Sequence, residues 1–64
     1  MTFEMAVGKY AGYLQDSYGQ GIGGAQYPDK ELSGKDKEGN WYLIGWKNAQ
    51  LAIVKPNGFV QVGF

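Results

Sequence analysis

The clearest hydrophobic pattern lies in residues 40–64, which read NWYLIGWKNAQLAIVKPNGFVQVGF. Two apolar runs rich in β-branched residues, 51–54 and 59–62, flank the tetrapeptide KPNG at 55–58. Residues of this kind favour strands, and Pro, Asn and Gly in this order suit a type I turn followed by a glycine bulge. The pattern predicts a β-hairpin in which Val54 pairs with Val60.

A third strand is predicted at 40–46, with a bend at Lys47 and Asn48 that returns the chain antiparallel. Side chains alternate across a strand, and on all three strands both sides are largely apolar. We therefore expect a sheet with two apolar faces, although small antiparallel sheets usually keep one face polar. One predicted face carries Trp41, Leu43, Leu51, Ile53 and Phe59, and the other carries Ile44, Trp46, Val54 and Val60.

Residues 2–18 show a helical stripe of apolar residues at spacings of three and four: Phe3, Val7, Tyr10, Leu14 and Tyr18. Thr2 suits the N-cap, and Gly19 suits the position after the helix. Gly8 and Gly12 each cost about 1 kcal/mol relative to Ala in a helix interior. Residues 2–7 also alternate as a strand would. The pattern favours a helix and leaves a strand as the alternative.

Residues 19–39 are predicted to be a Gly-rich and then mixed-charge loop, in which a short strand or a helical turn around 26–32 would be hidden. Residues 19–24, GQGIGG, match the spacing G-x-G-x-x-G of dinucleotide-binding sites. That motif needs a preceding strand and a helix that opens within it. Pro28 and the absence of good helix formers argue against this context, so we expect a flexible loop without bound phosphate.

These elements predict one small α+β domain, 1–64, in which an N-terminal helix packs on a three-stranded antiparallel sheet. If residues 2–18 were a strand, a small all-β barrel would be the alternative.

The composition excludes several ways of stabilising a small fold and several kinds of chemistry. The chain has 64 residues, no Cys, no His and a formal net charge of zero. Disulfides and thiolate or imidazole metal sites are therefore excluded, and no global charge attracts nucleic acid or anionic membranes. A chain this short buries only about 60% of its unfolded surface. Oligomerisation is the remaining support, and we expect a homodimer.

Catalysis is not expected. Thr2, Ser17 and Ser33 cannot have a His partner, and most of the carboxylates lie in the predicted loop, where positioning is poor. We therefore expect neither an enzyme nor a cofactor or metal site. The N-terminus lacks the basic and apolar regions of a signal peptide, no segment has the length of a membrane span, and a cytoplasmic location is expected.

Ten aromatic residues (2 Trp, 5 Tyr and 3 Phe) are too many for one small core. Trp and Tyr keep a polar end in water and are enriched in protein interfaces. We expect a non-enzymatic protein-binding module, with single-stranded nucleic-acid binding through exposed aromatics as the alternative. The predicted partner or dimer interface comprises Tyr27, Trp41, Leu43, Trp46, Leu51, Ile53 and Phe59.

The overall profile is small, neutral, rich in Gly and aromatics, and free of catalytic residue types. In these respects it resembles the small phage-encoded proteins that inhibit host enzymes or defence systems by binding them. The resemblance covers size and composition and no defined motif. It implies an inhibitor of a host or defence protein, acting in the host cytoplasm.

Overall fold

A computed structural model describes residues 1–63, apart from the side chain of Ala25. One helix packs on an open antiparallel sheet of four strands in the order β1-β2-β3-β4. The elements are α1 (Phe3–Tyr18), β1 (Gly34–Lys35), β2 (Trp41–Ile44), β3 (Gln50–Val54) and β4 (Val60–Gln61), with 3-10 turns at Gly24–Gln26 and Trp46–Asn48. The predicted α+β class is confirmed, with four strands instead of three. Phe64, the last residue of the predicted sheet, lies outside the described residues.

Helix α1 begins and ends where its sequence indicates. The Thr2 hydroxyl accepts a hydrogen bond of 3.1 Å from the Met5 amide. Gly19 has a φ of 67° and donates its amide to the Gln15 carbonyl, which gives the left-handed C-terminal cap that glycine favours. Ala6, Tyr10 and Leu14 are its buried residues. Tyr10 and Leu14 belong to the predicted stripe, whose other members are half-buried (Phe3 and Val7) or exposed (Tyr18). None of the helices in residues 1–63 has the length and apolarity that crossing a membrane requires.

The core lies between α1 and one face of the sheet. Leu43, Ala52 and Val54 are fully buried beneath the helix. The prediction that Trp41 and Leu43 share a face with Ile53 was wrong, because Trp41 lies opposite Val54, and Leu43 lies opposite Ala52. Paired residues on antiparallel strands share a face, so Trp41 and Leu43 belong to the face that the helix covers.

A β-bulge between β2 and β3 changes the position of Leu51. Leu43 lies opposite Ala52, but Ile44 lies opposite Gln50, which leaves Leu51 as the extra residue. Strict alternation predicts that Leu51 lies on the face of Ile53. Leu51 instead packs against the core. It lies over Gly45, where an added Cβ would be only 2.8 Å from the Leu51 Cδ1.

Two hairpins connect β2 to β3 and β3 to β4. In the second, the Val54–Val60 pair is confirmed, the Gly58 amide donates to the Lys55 carbonyl at 2.8 Å, and Gly58 has a φ of 91°. In the first, Lys47 and Asn48 both have positive φ, 57° and 60°. This turn type matches the twist of antiparallel strands but usually uses Gly or Asn.

The short strand β1 lies at Gly34–Lys35, inside the segment predicted as a loop, and pairs with β2. Asp36 follows it and ties the turn to β2. Its carboxylate accepts hydrogen bonds from the amides of Glu38 and Asn40, the Asn40 side chain and the Tyr42 hydroxyl. These bonds order a turn that the sequence presents only as a mixed-charge run.

Candidate functional site

The sheet face away from α1 is here called the helix-free face. It is formed by Tyr42 and Ile44 of β2, Ile53 of β3 and Gln61 of β4. Tyr42 lies opposite Ile53, and Ile53 lies opposite Gln61, so these side chains form one continuous surface. The helix contacts β2, β3 and β4 from the opposite side. The large side chains at the centre of this face, Tyr42, Ile44 and Ile53, form an apolar strip that is half-buried in the single chain.

Trp46 is the most exposed of the large hydrophobic residues that the structure describes, at 66%. It lies at the tip of the β2–β3 hairpin, and the Lys47 ammonium lies 4.6 Å from the centroid of its ring. The left-handed conformation of Lys47 costs about 1–2 kcal/mol for a residue with a Cβ. Folding buries only the smaller part of Trp46 in this position. An exposed tryptophan on a strained turn is typical of a contact site.

Tyr27 lies at the same end of the sheet as Trp46. The Asp29 amide donates to the Ile44 carbonyl at 2.7 Å, which fixes the segment after Tyr27 to the end of β2. Gln26, the residue before Tyr27, lines one cavity together with Gln50 at the start of β3. Tyr27 is also exposed. Tyr27 and Trp46, here called the aromatic end, are the two predicted site residues that the structure brings to one end of the molecule.

Three other predicted site residues hold the helix to the sheet. Leu43 is fully buried, and Leu51 packs against the same core. The Trp41 indole donates to the Met1 carbonyl at 2.7 Å, and its ring lies edge-on to Phe3 with centroids 5.9 Å apart. These side chains stabilise the fold, and Leu43 in particular is not accessible to a partner.

The last two predicted site residues lie on separate surfaces. Ile53 is on the helix-free face and is half-buried. Phe59 is 60% exposed and lies after the β3–β4 turn, beside a shallow groove that Gly8 and Gly12 of α1 also line. The structure therefore divides the predicted interface among the core, the helix-free face, the aromatic end and this groove.

The predicted interface omitted Tyr42, Ile44 and Tyr18, although Ile44 stood on one of the two predicted sheet faces. Tyr42 and Ile44 alternate with the buried Leu43. The alternation is visible in the sequence, but it identifies the uncovered face only when the pairing of β2 with β3 is known. Tyr18 continues the apolar stripe of α1 but is 62% exposed, because it occupies the last position of the helix. Its position after the last buried residue, Leu14, is the signal that marks it.

Metal-ligating side chains are not clustered in the described part of the chain. Within residues 1–63, no three His, Cys, Asp or Glu side chains form a group that could hold a metal. The glycine-rich segment 19–24 leads only into the three-residue 3-10 turn Gly24–Gln26. Dinucleotide-binding loops instead place phosphate at the start of an α-helix.

No family model matches the chain, and no curated protein or solved structure matches it. The geometry of its surfaces is therefore the basis for inferring what the protein does.

Proposed function

We propose that this protein is a non-enzymatic binding module that recognises another protein through its aromatic end. The supporting observation is Trp46, which is 66% exposed on a turn with two positive-φ residues, Lys47 and Asn48. Trp and Tyr dominate the energetics of protein interfaces because they bury a large area with few rotatable bonds. Tyr27 supplies a second aromatic side chain at this end.

The module is proposed to act as a homodimer that buries the helix-free face. One helix covers one side of the sheet, and Tyr42, Ile44 and Ile53 remain on the other. A two-fold axis would place this strip against its own copy, which is the commonest arrangement in homo-oligomers. A chain of 64 residues has little stability to spare, so burial of the strip would also stabilise the fold.

The proposed partner is a larger protein that this small module inhibits by occupying one of its surfaces, and the proposed setting is the host cytoplasm. The support is the resemblance in size and composition to small phage-encoded inhibitors. A formal net charge of zero also favours a contact made by aromatic packing over one steered by charge.

Affinity capture from a lysate of the host cells tests the proposed aromatic contact. The wild-type protein is expected to retain a specific protein that Trp46→Ala loses, because Trp truncations at interface centres commonly cost about 2 kcal/mol or more. Phe59→Ala is the matched control, since Phe59 is similarly exposed, at 60%, but lies after the β3–β4 turn. Equal capture by wild type and Trp46→Ala would contradict the proposal.

Copurified nucleic acid is the informative alternative outcome. If the wild-type protein instead carries single-stranded nucleic acid that salt releases, backbone charge contacts are involved. That result would replace protein binding with the nucleic-acid function.

A further inference from the structure

A second site of a different kind lies between the C-terminal half of α1, the segment 20–26 and the start of β3. It is a cavity of about 350 Å³, which is within the usual range of small-molecule pockets, roughly 300–1,000 Å³. Leu14, Leu51 and Val62 form its apolar wall. Gln26, the neighbour of Tyr27, lines the cavity, but Trp46 and Tyr27 do not, so the cavity adjoins the aromatic end without using its two aromatic side chains.

Six polar side chains surround the cavity: Tyr10, Tyr13, Tyr18, Gln20, Gln26 and Gln50. They come from three separate parts of the fold: α1, the segment 20–26 and the start of β3. Each carboxamide offers two donors and an acceptor, and each phenol offers one donor and an acceptor. Such a lining suits a ligand with several hydrogen-bonding groups.

Tyr10 shows that this hydrogen-bonding capacity is available. The residue is only 3% exposed, yet within residues 1–63 its hydroxyl makes no side-chain hydrogen bond. No fully buried side-chain nitrogen or oxygen lacks a partner in that range, so the hydroxyl must reach open space, and the cavity is the space that Tyr10 lines. A ligand hydroxyl would satisfy it.

The three phenols also converge. Burial raises the pKa of Tyr10, and the nearby Tyr13 and Tyr18 raise it further. The Tyr10 hydroxyl, like that of an ordinary tyrosine, is protonated at neutral pH and can donate. The side-chain carboxamides of Gln20, Gln26 and Gln50 likewise make no hydrogen bond to another described residue.

The lining carries no charged side chain, and this restricts the class of ligand. A phosphate, carboxylate or ammonium group would find no counter-charge among these residues. The cavity therefore favours a neutral ligand over nucleotides, sugar phosphates and acidic sugars.

The geometry of the aromatic rings distinguishes between two classes of neutral ligand, nucleobases and sugars. The rings of Tyr13 and Tyr18 are 6.2 Å apart between centroids and inclined at 79°, so this pair forms a corner and not two parallel walls. This pair therefore leaves no slot in which a flat nucleobase could stack on an aromatic ring with both of its faces. A corner suits a puckered ring whose C–H face packs on one tyrosine while its hydroxyl groups project toward amides.

We propose that this cavity binds a neutral saccharide of one or two sugar rings. The Tyr13–Tyr18 corner receives the C–H face of a sugar ring, and the hydroxyls of the sugar exchange hydrogen bonds with Tyr10 and the three glutamine amides. This ligand site is independent of the proposed protein contact and goes beyond it.

Amide chemical shifts of the isotope-labelled full chain test the proposal. The neutral probes are N-acetylglucosamine and maltose, and the comparison probes are adenosine and glucose 6-phosphate. The neutral sugars are expected to shift the amides of Gln20, Gly21, Gln50 and Leu51 in a saturable way. Gln50→Leu and Tyr18→Ala are expected to weaken that binding by about tenfold each. Both residues are exposed, so these variants should remain folded.

Trp46→Ala is the matched control, because it removes the proposed protein contact and leaves the cavity lining intact; sugar binding should be unchanged. Three results would overturn the saccharide proposal: no saturable shift with either neutral sugar, preferential binding of adenosine, or equal binding of glucose 6-phosphate. Since capture of a protein partner is measured separately, a failure here and a failure of the protein-binding proposal can be told apart.

Discussion

At the scale of single residues, Asp36 is the side chain that links the most backbone and side-chain groups in the turn before β2. Hydrogen bonds from Asn40 lower the pKa of Asp36 below its usual 3.8, with a smaller contribution from Tyr42. Because the folded state favours the carboxylate, these bonds stabilise the protein fully above that usual value. Their contribution is lost as the pH falls through the lower, folded-state pKa.

Asp36→Asn should therefore reduce the acid sensitivity of the fold. The wild-type midpoint of urea unfolding is expected to fall as the pH drops below 3.8, because the proton binds preferentially to the unfolded state. The variant should be less stable at neutral pH and show a shallower decline in acid. Asp16→Asn, at an exposed helix position, is the control. The same acid dependence in wild type and Asp36→Asn would contradict this role.

The hydrogen bond between Tyr42 and Asp36 also predicts a loss of stability at alkaline pH. The hydrogen bond to Asp36 raises the pKa of Tyr42 above its usual 10.0. A group whose pKa is raised in the folded state contributes fully below its unfolded value and loses that contribution as the pH rises through the folded value. Tyr42→Phe should remove this part of the alkaline unfolding.

Gly58 is the residue on which the β3–β4 turn depends. Its φ of 91° is strained for a β-branched residue, so Gly58→Val should lower the free energy of unfolding by about 1–3 kcal/mol. Urea denaturation measures this directly. Gly21→Val is a matched control, because Gly21 is an exposed glycine with no atom within 4 Å of an added Cβ and no positive φ. Equal effects of the two substitutions would mean that the turn conformation is not decisive.

At the scale of elements, the sequence predicts the long and periodic features well. The α1 stripe, its Thr2 and Gly19 caps and the Val54–Val60 pair are all found. Strand β1 is missed because Gly34 and Lys35 are both exposed and too few to show a period. The bulge at Leu51 is missed because a single inserted residue shifts the alternation without any local signal.

Helix α1 carries two glycines that the packing does not require. An added Cβ at Gly8 or Gly12 meets no atom within 4 Å, so Gly8→Ala should stabilise the protein by about 1 kcal/mol through helix propensity alone. Thermal unfolding is the measurement, with Gly12→Ala as an independent repeat at the next turn. A loss of stability in both variants would show that the groove beside β4 needs the glycines.

At the scale of the whole molecule, the candidate site was only partly predictable. Sequence composition indicates that the aromatics exceed what the core can hold, and Tyr27 and Trp46 are indeed exposed. The sequence does not show which apolar face the helix covers, because both faces of β2 and β3 are apolar until the register is known. Leu43 and Ile53 were grouped for this reason, although one is buried and the other lies on the helix-free face.

The measurement that tests the proposed assembly most directly is light scattering after gel filtration at micromolar concentration. The predicted mass is twice the 7.0 kDa of the chain, because two helix-free faces bury each other. Ile53→Asp should dissociate the dimer, since a carboxylate at the centre of the strip would be buried without a partner. Phe59→Asp, an exposed position outside the strip, should leave it intact. A stable wild-type monomer under these conditions would contradict the proposed dimer.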